Sequence, residues 1–522
     1  MGIYLDPGTT PFRKVINNNP YVDKSGMISE LNKVINTNDC HVCISRPRRF
    51  GKTMAAHMLS AYYSCGSDSA DMFAGLEIEN DPSFRTHLNK YHVIFLNMAR
   101  FVSESADTKQ MVAMIKERLT REFMQTYPDI EVGPATGFTD CLELVYQATG
   151  IGMVVIIDEW DCVFRELQND ASAHKDYLNF LRDFLKDQPY VSLAYMTGIL
   201  PIKKYGVHSA LNMFAEFSMT SPKQFDRFIG FTSEEVKGLC DRYGMDFSEM
   251  SAWYDGYRFP HAPSVFSPRS VVAALSSRSF GNYWTRTETY EALKIYIDMG
   301  YDGLREGIVR LLAGGRVAIN PDRFTNDMVT FTGKDDVMTL LVHLGYLGYL
   351  VESGEVFIPN REISGEFVTA LESPWYTGIA DAVNDSLDLL VATWGADAAT
   401  VASLIEKAHR ETSHLTYNDE NALAYTVSLA YYAARQFYTI IREMPSDKGY
   451  ADMIFLPLRS HPDKPAMVIE LKWDQTAQGA IRQIKDRNYP AALEGHAGQL
   501  LLVGINYDKD TKTHTCEIES IR

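Results

Sequence analysis

Cysteine is scarce, with seven in 522 residues. A sparse and odd count does not make a disulfide scaffold and fits a reducing compartment. Cys40 and Cys43 have CxxC spacing, but no second pair accompanies them, so they read as strand packing rather than a redox or metal motif. No run of about 18 apolar residues occurs, so no membrane-spanning helix and no membrane partner are expected. The segment Met1–Pro20 is polar and lacks the apolar core of a signal peptide. The expectation is a soluble, cytoplasmic protein. There is no internal repeat of roughly 20–50 residues and no long Gly/Ser- or Pro-rich linker. Positive charge is in deficit: Lys+Arg number 50 against 67 Asp+Glu, for a net charge of -17. That excludes a protein that coats DNA through bulk charge, while leaving room for a local basic groove.

What is present is an ordinary globular composition, 46% hydrophobic and 22% charged. At about 100–200 residues per domain, the length allows two to four domains. The first part alternates apolar runs (His41–Ser45, His92–Met98, Met153–Asp158, Val191–Thr197) with helical stretches (Thr53–Ser64, Thr108–Thr126, Ala173–Lys186). Continuous apolar strands separated by helices imply a parallel sheet covered on both faces. The expected class is α/β: a first domain with a parallel sheet over 1–225, a mostly helical middle region over 226–400, and a C-terminal α/β domain over 401–522. The last part reads as a long helix over Asn418–Glu443, strands at Tyr450–Pro457 and Ala466–Trp473, a helix over Ala477–Tyr489, a strand at Gln499–Ile505 and a short charged tail.

Residues 45–53 read Ser-Arg-Pro-Arg-Arg-Phe-Gly-Lys-Thr between a strand and a helix. Gly51-Lys52-Thr53 is the end of a P-loop. Gly51 lets the backbone approach a phosphate, Lys52 reaches the β- and γ-phosphates of ATP, and the Thr53 hydroxyl ligates Mg2+. Arg46 stands where the first P-loop glycine is usual. Arg48 and Arg49 are placed to contact phosphate, to serve a neighbouring subunit or to be solvated loop charges. About a hundred residues on, Val154–Ile157 is an apolar run followed by Asp158 and Glu159. Asp158 would hold magnesium and Glu159 would polarise the attacking water. Two solvated acids at a strand end would look similar, but both elements in this order make a nucleotide site the better reading. Thr197, near the end of the next strand, fits either a γ-phosphate sensor or a capping hydroxyl.

A second constellation lies near the C-terminus. Asp452 sits in one strand and Glu470-Leu471-Lys472 in the next. Residues i and i+2 of a strand share a face, so Glu470 and Lys472 point together and Leu471 points away. Asp452 and Glu470 would supply hard oxygen ligands for Mg2+, and Lys472 would orient a water or stabilise developing charge. An amphipathic strand with a solvated Glu–Lys face is the bland alternative. Glu420 would complete the metal shell or serve as a helix N-terminal acid. Gln483, Lys485 and Arg487 on the following helix are candidates for a nucleic-acid backbone. From Lys448 to Tyr489 the chain has seven Lys+Arg and five Asp+Glu, a locally basic stretch in an acidic protein.

The strings Tyr21-Val22-Asp23-Lys24-Ser25, Ser45–Thr53, Asp158-Glu159-Trp160-Asp161 and Trp253-Tyr254-Asp255-Gly256-Tyr257-Arg258-Phe259 resemble the bacterial AAA-ATPase-like family. Gly345-Tyr346-Leu347 and Ile358-Pro359-Asn360-Arg361-Glu362 continue the match. Gly449-Tyr450-Ala451-Asp452, Glu470-Leu471-Lys472 and Gln483 resemble the PD-(D/E)xK nuclease superfamily domain that is fused to it. Arg46 at the first P-loop position is normal for that family. Trp160 stands where Tyr is common and Thr53 where Ser is frequent, and neither change threatens ATP binding. The resemblance implies a P-loop ATPase coupled to a Mg-dependent nuclease-like domain acting on nucleic acid, DNA in the leading reading. Related ATPases work as rings or dimers, so a homo-oligomer is among the arrangements it allows. The rival reading is a nucleotide-regulated switch whose C-terminal domain binds nucleic acid or protein without cleaving it.

Overall fold

The computed structural model describes residues 2–131, 133, 136–202, 211–284, 290–325, 328–370, 383, 385–412, 420–446, 449–458, 461–486 and 499–521. They divide into two compact units, one of Met1–Tyr283 with Ala318–Asn360, the other of Trp284–Val317 with Arg361–Arg522. The stretch 226–400 is thus shared between them. Among the described residues no helix is long and apolar enough to cross a membrane.

The first unit is built on five strands: β1 (His41–Ser45), β2 (His92–Asn97), β3 (Met153–Asp158), β4 (Val191–Gly198) and β5 (Ala215–Phe217). All pair in parallel, in the order β2-β3-β4-β1-β5. β1 and β3 are buried along their whole length, because helices cover both faces of the sheet and no residue needs to face water. Leu96, Val155, Ile157, Trp160, Phe164, Tyr177 and Leu181 are among the residues of its main core. The register sets Asn97 opposite Asp158, Asp158 opposite Thr197, and Gly198 opposite Ser45. The carboxyl ends of four strands are therefore level, and in open α/β sheets that edge is where ligands bind. β5 is three residues long with one acid, and its sequence carries no strand signal.

Short strands β6 (Phe231–Thr232), β7 (Val265–Phe266), β8 (Val317–Ala318), β9 (Gly348–Leu350) and β10 (Glu355–Phe357) punctuate a helical stretch. Three sequence strings meet inside the first unit. Tyr257 Oη donates to the Gly345 carbonyl at 2.6 Å, and Asn360 Nδ2 donates to the Asp255 carbonyl at 2.8 Å. Gly256 has φ of 120°, and a Cβ there would lie 2.1 Å from the Pro359 carbonyl oxygen.

The second unit holds a mixed sheet of β11 (Tyr438–Ser446), β12 (Gly449–Pro457), β13 (Ala466–Trp473), β14 (Leu500–Asp508) and β15 (Thr513–Ile521), in chain order. Only β13 and β14 pair in parallel; the other neighbours are antiparallel. The expected long helix over 418–443 is corrected here. The helix spans Glu420–Ala430, a 3-10 turn follows at Tyr432–Gln436, and β11 begins at Tyr438. Tyr438-Thr439-Ile440-Ile441 is aromatic and β-branched, a composition that favours a strand, and β12 gives it a partner over its length. The charged tail forms β15, paired with β14 throughout.

Candidate functional site

The loop after β1 turns into the helix Lys52–Tyr63. Gly51, its N-cap, has φ of 96°, and Arg49 has φ of 67°. The left-handed turn at Gly51 is cheap only without a Cβ. Lys52 is buried and its Nζ donates to the carbonyls of Arg46 (3.0 Å) and Pro47 (2.8 Å). Burial lowers its pKa, and the nearby acids Glu159, Asp161 and Asp158 oppose that.

Asp158 is fully buried at the end of β3. Its Oδ2 accepts from Thr53 Oγ1 at 2.8 Å and from Asn97 Nδ2 at 3.3 Å. Its Oδ1 is buried with no protein partner among the described residues. Desolvation raises the carboxyl to about 6 against the Thr53 hydrogen bond. An orphaned carboxylate oxygen beside a hydroxyl is a donor set that fits Mg2+, a hard cation that takes oxygen ligands.

Glu159 adopts φ of 55°, and its Oε2 is ion-paired with Arg165 Nη2. Arg165 Nε also donates to Asp161 Oδ2 at 3.1 Å. Asp161 is buried and the same oxygen accepts from the backbone of Ile199 (3.0 Å) and Leu200 (2.8 Å). Asn97 and Arg165 are neighbours of the candidate residues Asp158 and Glu159 that no motif singles out. Asn97 could have been found as the polar end of an apolar strand.

A cavity of about 830 Å³ opens on this edge. Arg48, Arg49, Lys52, Thr53, Glu159 and Arg165 line its polar side, and Phe12, Val15, Tyr21, Met58 and Phe231 its apolar side. Asp158 and two further candidate residues, Arg46 and Thr197, are not among its lining residues. Arg46 is fully buried, donates from Nη1 to the carbonyls of Ser45 (2.9 Å) and Phe217 (3.2 Å), and sits 5.0 Å over the Phe259 ring. Burial lowers its pKa to about 10. Thr197 is buried and donates its hydroxyl to the Ile44 carbonyl at 3.1 Å.

In the second unit, the β12–β13 register runs Phe455 opposite Met467, Ile454 opposite Val468 and Met453 opposite Ile469. One step further, the Asp452 side chain takes the Leu471 N–H on Oδ2 at 2.7 Å. Lys472 Nζ lies 3.0 Å from Glu470 Oε1 and 3.1 Å from the Leu471 carbonyl. Both side chains are buried, while Leu471 enters the core. The helix Ala477–Asp486 brings Gln483 Nε2 to the same Glu470 oxygen. Gly504, paired with Glu470 in β14, makes that approach feasible: a Cβ there would meet the Ala477 carbonyl at 2.3 Å. The structure thus brings Lys472 and Gln483 onto Glu470, and Asp452 onto the backbone of the strand that carries Glu470. Acids on neighbouring strands are hard oxygen donors of the kind that suits Mg2+. Lys485 is exposed and ion-paired with Glu519. Arg487 lies outside the described residues, as does the side chain of Glu420.

The chain resembles known proteins along most of its length. It is 24% identical over 525 residues to an uncharacterized protein in the vnfD 5' region of Azotobacter chroococcum mcd 1, covering 94% of each chain. Among solved structures it is similar to the Aeropyrum pernix ORC2 protein in ADPNP–ADP complexes (13% identity, 69% of this chain and 96% of that one, TM-score 0.32). It is also similar to C. elegans PCH-2 (14%, 44% and 49%, TM-score 0.21). The family profile for predicted AAA-ATPases matches residues 7–208, and that of the PD-(D/E)XK nuclease superfamily matches residues 419–517. The chain therefore carries a domain of the predicted AAA-ATPase family followed by one of the PD-(D/E)XK nuclease superfamily.

Proposed function

We propose that this protein binds and hydrolyses ATP at the first site and cleaves nucleic acid, DNA in the first instance, at the second. The observation that carries the ATP reading is the Thr53–Asp158 contact with its orphaned carboxylate oxygen, level with the loop that holds Lys52. Lys52 exchanges the loop carbonyls for β- and γ-phosphate oxygens, and the free N–H groups of the helix at Lys52–Tyr63 complete the anion cradle. Thr53 and Asp158 would hold Mg2+, which would neutralise phosphate charge. Glu159 orients the attacking water after leaving Arg165. Arg49 lines the polar wall, and the apolar wall suits a purine face. We assign Arg46 to buttressing the loop on Phe259, and Thr197 to joining β4 to β1.

At the second site Asp452 and Glu470 would hold a divalent ion, with Glu420 a further candidate ligand. A bound metal there supplies charge stabilisation beside a phosphodiester. Lys472 would then turn from Glu470 toward the water or the scissile phosphate, and Gln483 and Lys485 would contact the backbone, with Arg487 a further candidate. The decisive assay mixes the purified full chain with supercoiled plasmid, Mg2+ or Mn2+, with and without ATP. Nicked or linear DNA with parallel phosphate release is the expected result. Phosphate release with intact DNA, and with intact RNA when a single-stranded RNA replaces the plasmid, would defeat the nuclease reading and leave the nucleotide-regulated switch.

A further inference from the structure

The edge of the parallel sheet carries a cluster unrelated to either site. The N-terminal segment lies antiparallel on β2: Asp6 N donates to the Val93 carbonyl (2.7 Å) and Phe95 N to the Tyr4 carbonyl (2.8 Å). The turn after the helix Lys52–Tyr63 is pinned to the same strand end, where Cys65 N donates to the Tyr91 carbonyl (2.8 Å). These two attachments bring Asp6, Cys65 and His92 together, from three separate parts of the chain. His92 Nδ1 is 2.9 Å from Asp6 Oδ2 and 3.3 Å from Cys65 Sγ, and the sulfur is 3.9 Å from the same carboxylate oxygen. All three ligand atoms lie within 4.8 Å of one another.

We infer that Asp6 Oδ2, Cys65 Sγ and His92 Nδ1 form a binding site for a zinc-class divalent cation. With the usual bond lengths, a tetrahedral zinc ion needs S···N and S···O separations of about 3.5 Å and an N···O separation of about 3.3 Å. The three observed separations depart from these by a few tenths of an ångström, which side-chain rotation supplies. A sulfur, an imidazole nitrogen and one carboxylate oxygen form a mixed set that suits zinc and not magnesium or calcium. The ligands' other atoms are already held. Asp6 Oδ1 accepts from Val93 N (2.8 Å) and Ser64 Oγ (3.0 Å), and His92 Nε2 meets Tyr127 Oη at 2.8 Å. Such outer contacts fix ligand orientation in metal sites.

Two backbone features hold Asp6 in place. It adopts φ of 47°, and Gly66 leaves the space it needs, since a Cβ on Gly66 would lie 2.7 Å from Asp6 Cβ. Without a cation, burial and the neighbouring Asp6 push the Cys65 thiol up to about 12. Coordination reverses that preference. The thiol proton leaves to solvent, the His92 proton resides on Nε2 and is donated to Tyr127 Oη, and Nδ1 offers its lone pair to the ion. One thiolate and one carboxylate neutralise the two positive charges, so the buried cluster carries no net charge. Three protein ligands leave a fourth position for water, and Cys65, partly exposed, marks the entry path. The ion would tie the N-terminal segment, which continues into Phe12 and Tyr21 of the nucleotide cavity, to the sheet edge.

The test is cobalt titration of the metal-stripped full chain. A near-ultraviolet thiolate-to-cobalt charge-transfer band with tetrahedral visible bands, saturating at one equivalent, is expected. Zinc should displace it, and excess Mg2+ should not. Cys65→Ser should abolish the charge-transfer band, and Tyr127→Phe should weaken zinc binding roughly tenfold. Absence of any thiolate band in the native chain, or its persistence in Cys65→Ser, would overturn the inference and leave a metal-free Asp–His anchor. The native-chain titration decides the matter even if Cys65→Ser fails to fold.

Discussion

The Thr53 hydroxyl donates to Oδ2 of Asp158 at 2.8 Å, while the other oxygen of that carboxylate is buried and without a protein partner among the described residues. Desolvation places the Asp158 carboxyl at about 6 rather than its ordinary 3.8. A raised native value means that the folded chain favours the proton, so stability is lost as pH rises through about 6. A magnesium ligand must be ionised, and the sign for binding is therefore opposite. Affinity for Mg·ATP should be flat above about pH 6 and fall roughly tenfold per unit below it. Calorimetric titration across that range measures this, with Asp158→Asn expected to remove both the step and the magnesium dependence. A flat wild-type profile would contradict the assignment.

Glu159 is ion-paired with Arg165, which is itself held by Asp161. Glu159 is the partly exposed member, so it can leave while Arg165 stays on Asp161. Glu159→Gln should therefore lower ATP turnover about 10²-fold or more, with nucleotide affinity changed by only a few-fold. Phosphate release and fluorescent-nucleotide binding, measured on the same preparation, separate these. Turnover near the wild-type rate would remove Glu159 from the chemistry.

How far the sequence reveals this molecule depends on where the physical signal is local. β1 to β4 are legible because a sheet covered on both faces demands continuous apolar runs. β5 is not, since three residues with one acid carry no pattern. The helix at Glu420–Ala430 and the strand from Tyr438 merge in sequence because no Gly or Pro separates them; the break is a 3-10 turn. The phosphate loop is legible as a string, but the fate of Arg46 is not. Its burial depends on Phe217 and Phe259, both far along the chain. Asn97 and Arg165 escape notice because each acts through a partner, Asp158 or Glu159, that only the register and the following helix bring close.

The aromatic string at 253–259 reads as a packing or docking element, and the fold uses it against the Ser45–Thr53 loop. Tyr257 packs edge-on against Phe50, with centroids 5.1 Å apart, and Phe259 lies under Arg46. Gly256 makes this possible by its positive φ and its contact with Pro359. A methyl group there meets backbone that cannot rotate away. Gly256→Ala should cost about 2–4 kcal/mol, seen as a lower urea midpoint by tryptophan fluorescence. It should also weaken ATP binding through the loop. Unchanged stability would show that the loop has slack this packing does not suggest.

Lys472 rests on Glu470 and on the Leu471 carbonyl, and Gln483 reaches the same Glu470 oxygen. In this state a buried acid is neutralised by its own neighbour, so Lys472→Ala would leave Glu470 uncompensated and lower stability as well as activity. Asp452→Asn is the cleaner probe. The amide oxygen can still accept the Leu471 N–H, so the strand edge is kept while a metal-binding charge is lost. Plasmid cleavage in Mg2+ should fall about 10²-fold or more in either variant, with the melting temperature of Asp452→Asn within a few degrees of wild type. ATP turnover should be retained in both, because the residues proposed to support it, Lys52, Thr53, Asp158 and Glu159, belong to the other compact unit. Cleavage that survives both substitutions would place the nuclease chemistry elsewhere. Loss of ATP turnover in folded Asp452→Asn would instead show that the two activities are obligatorily coupled.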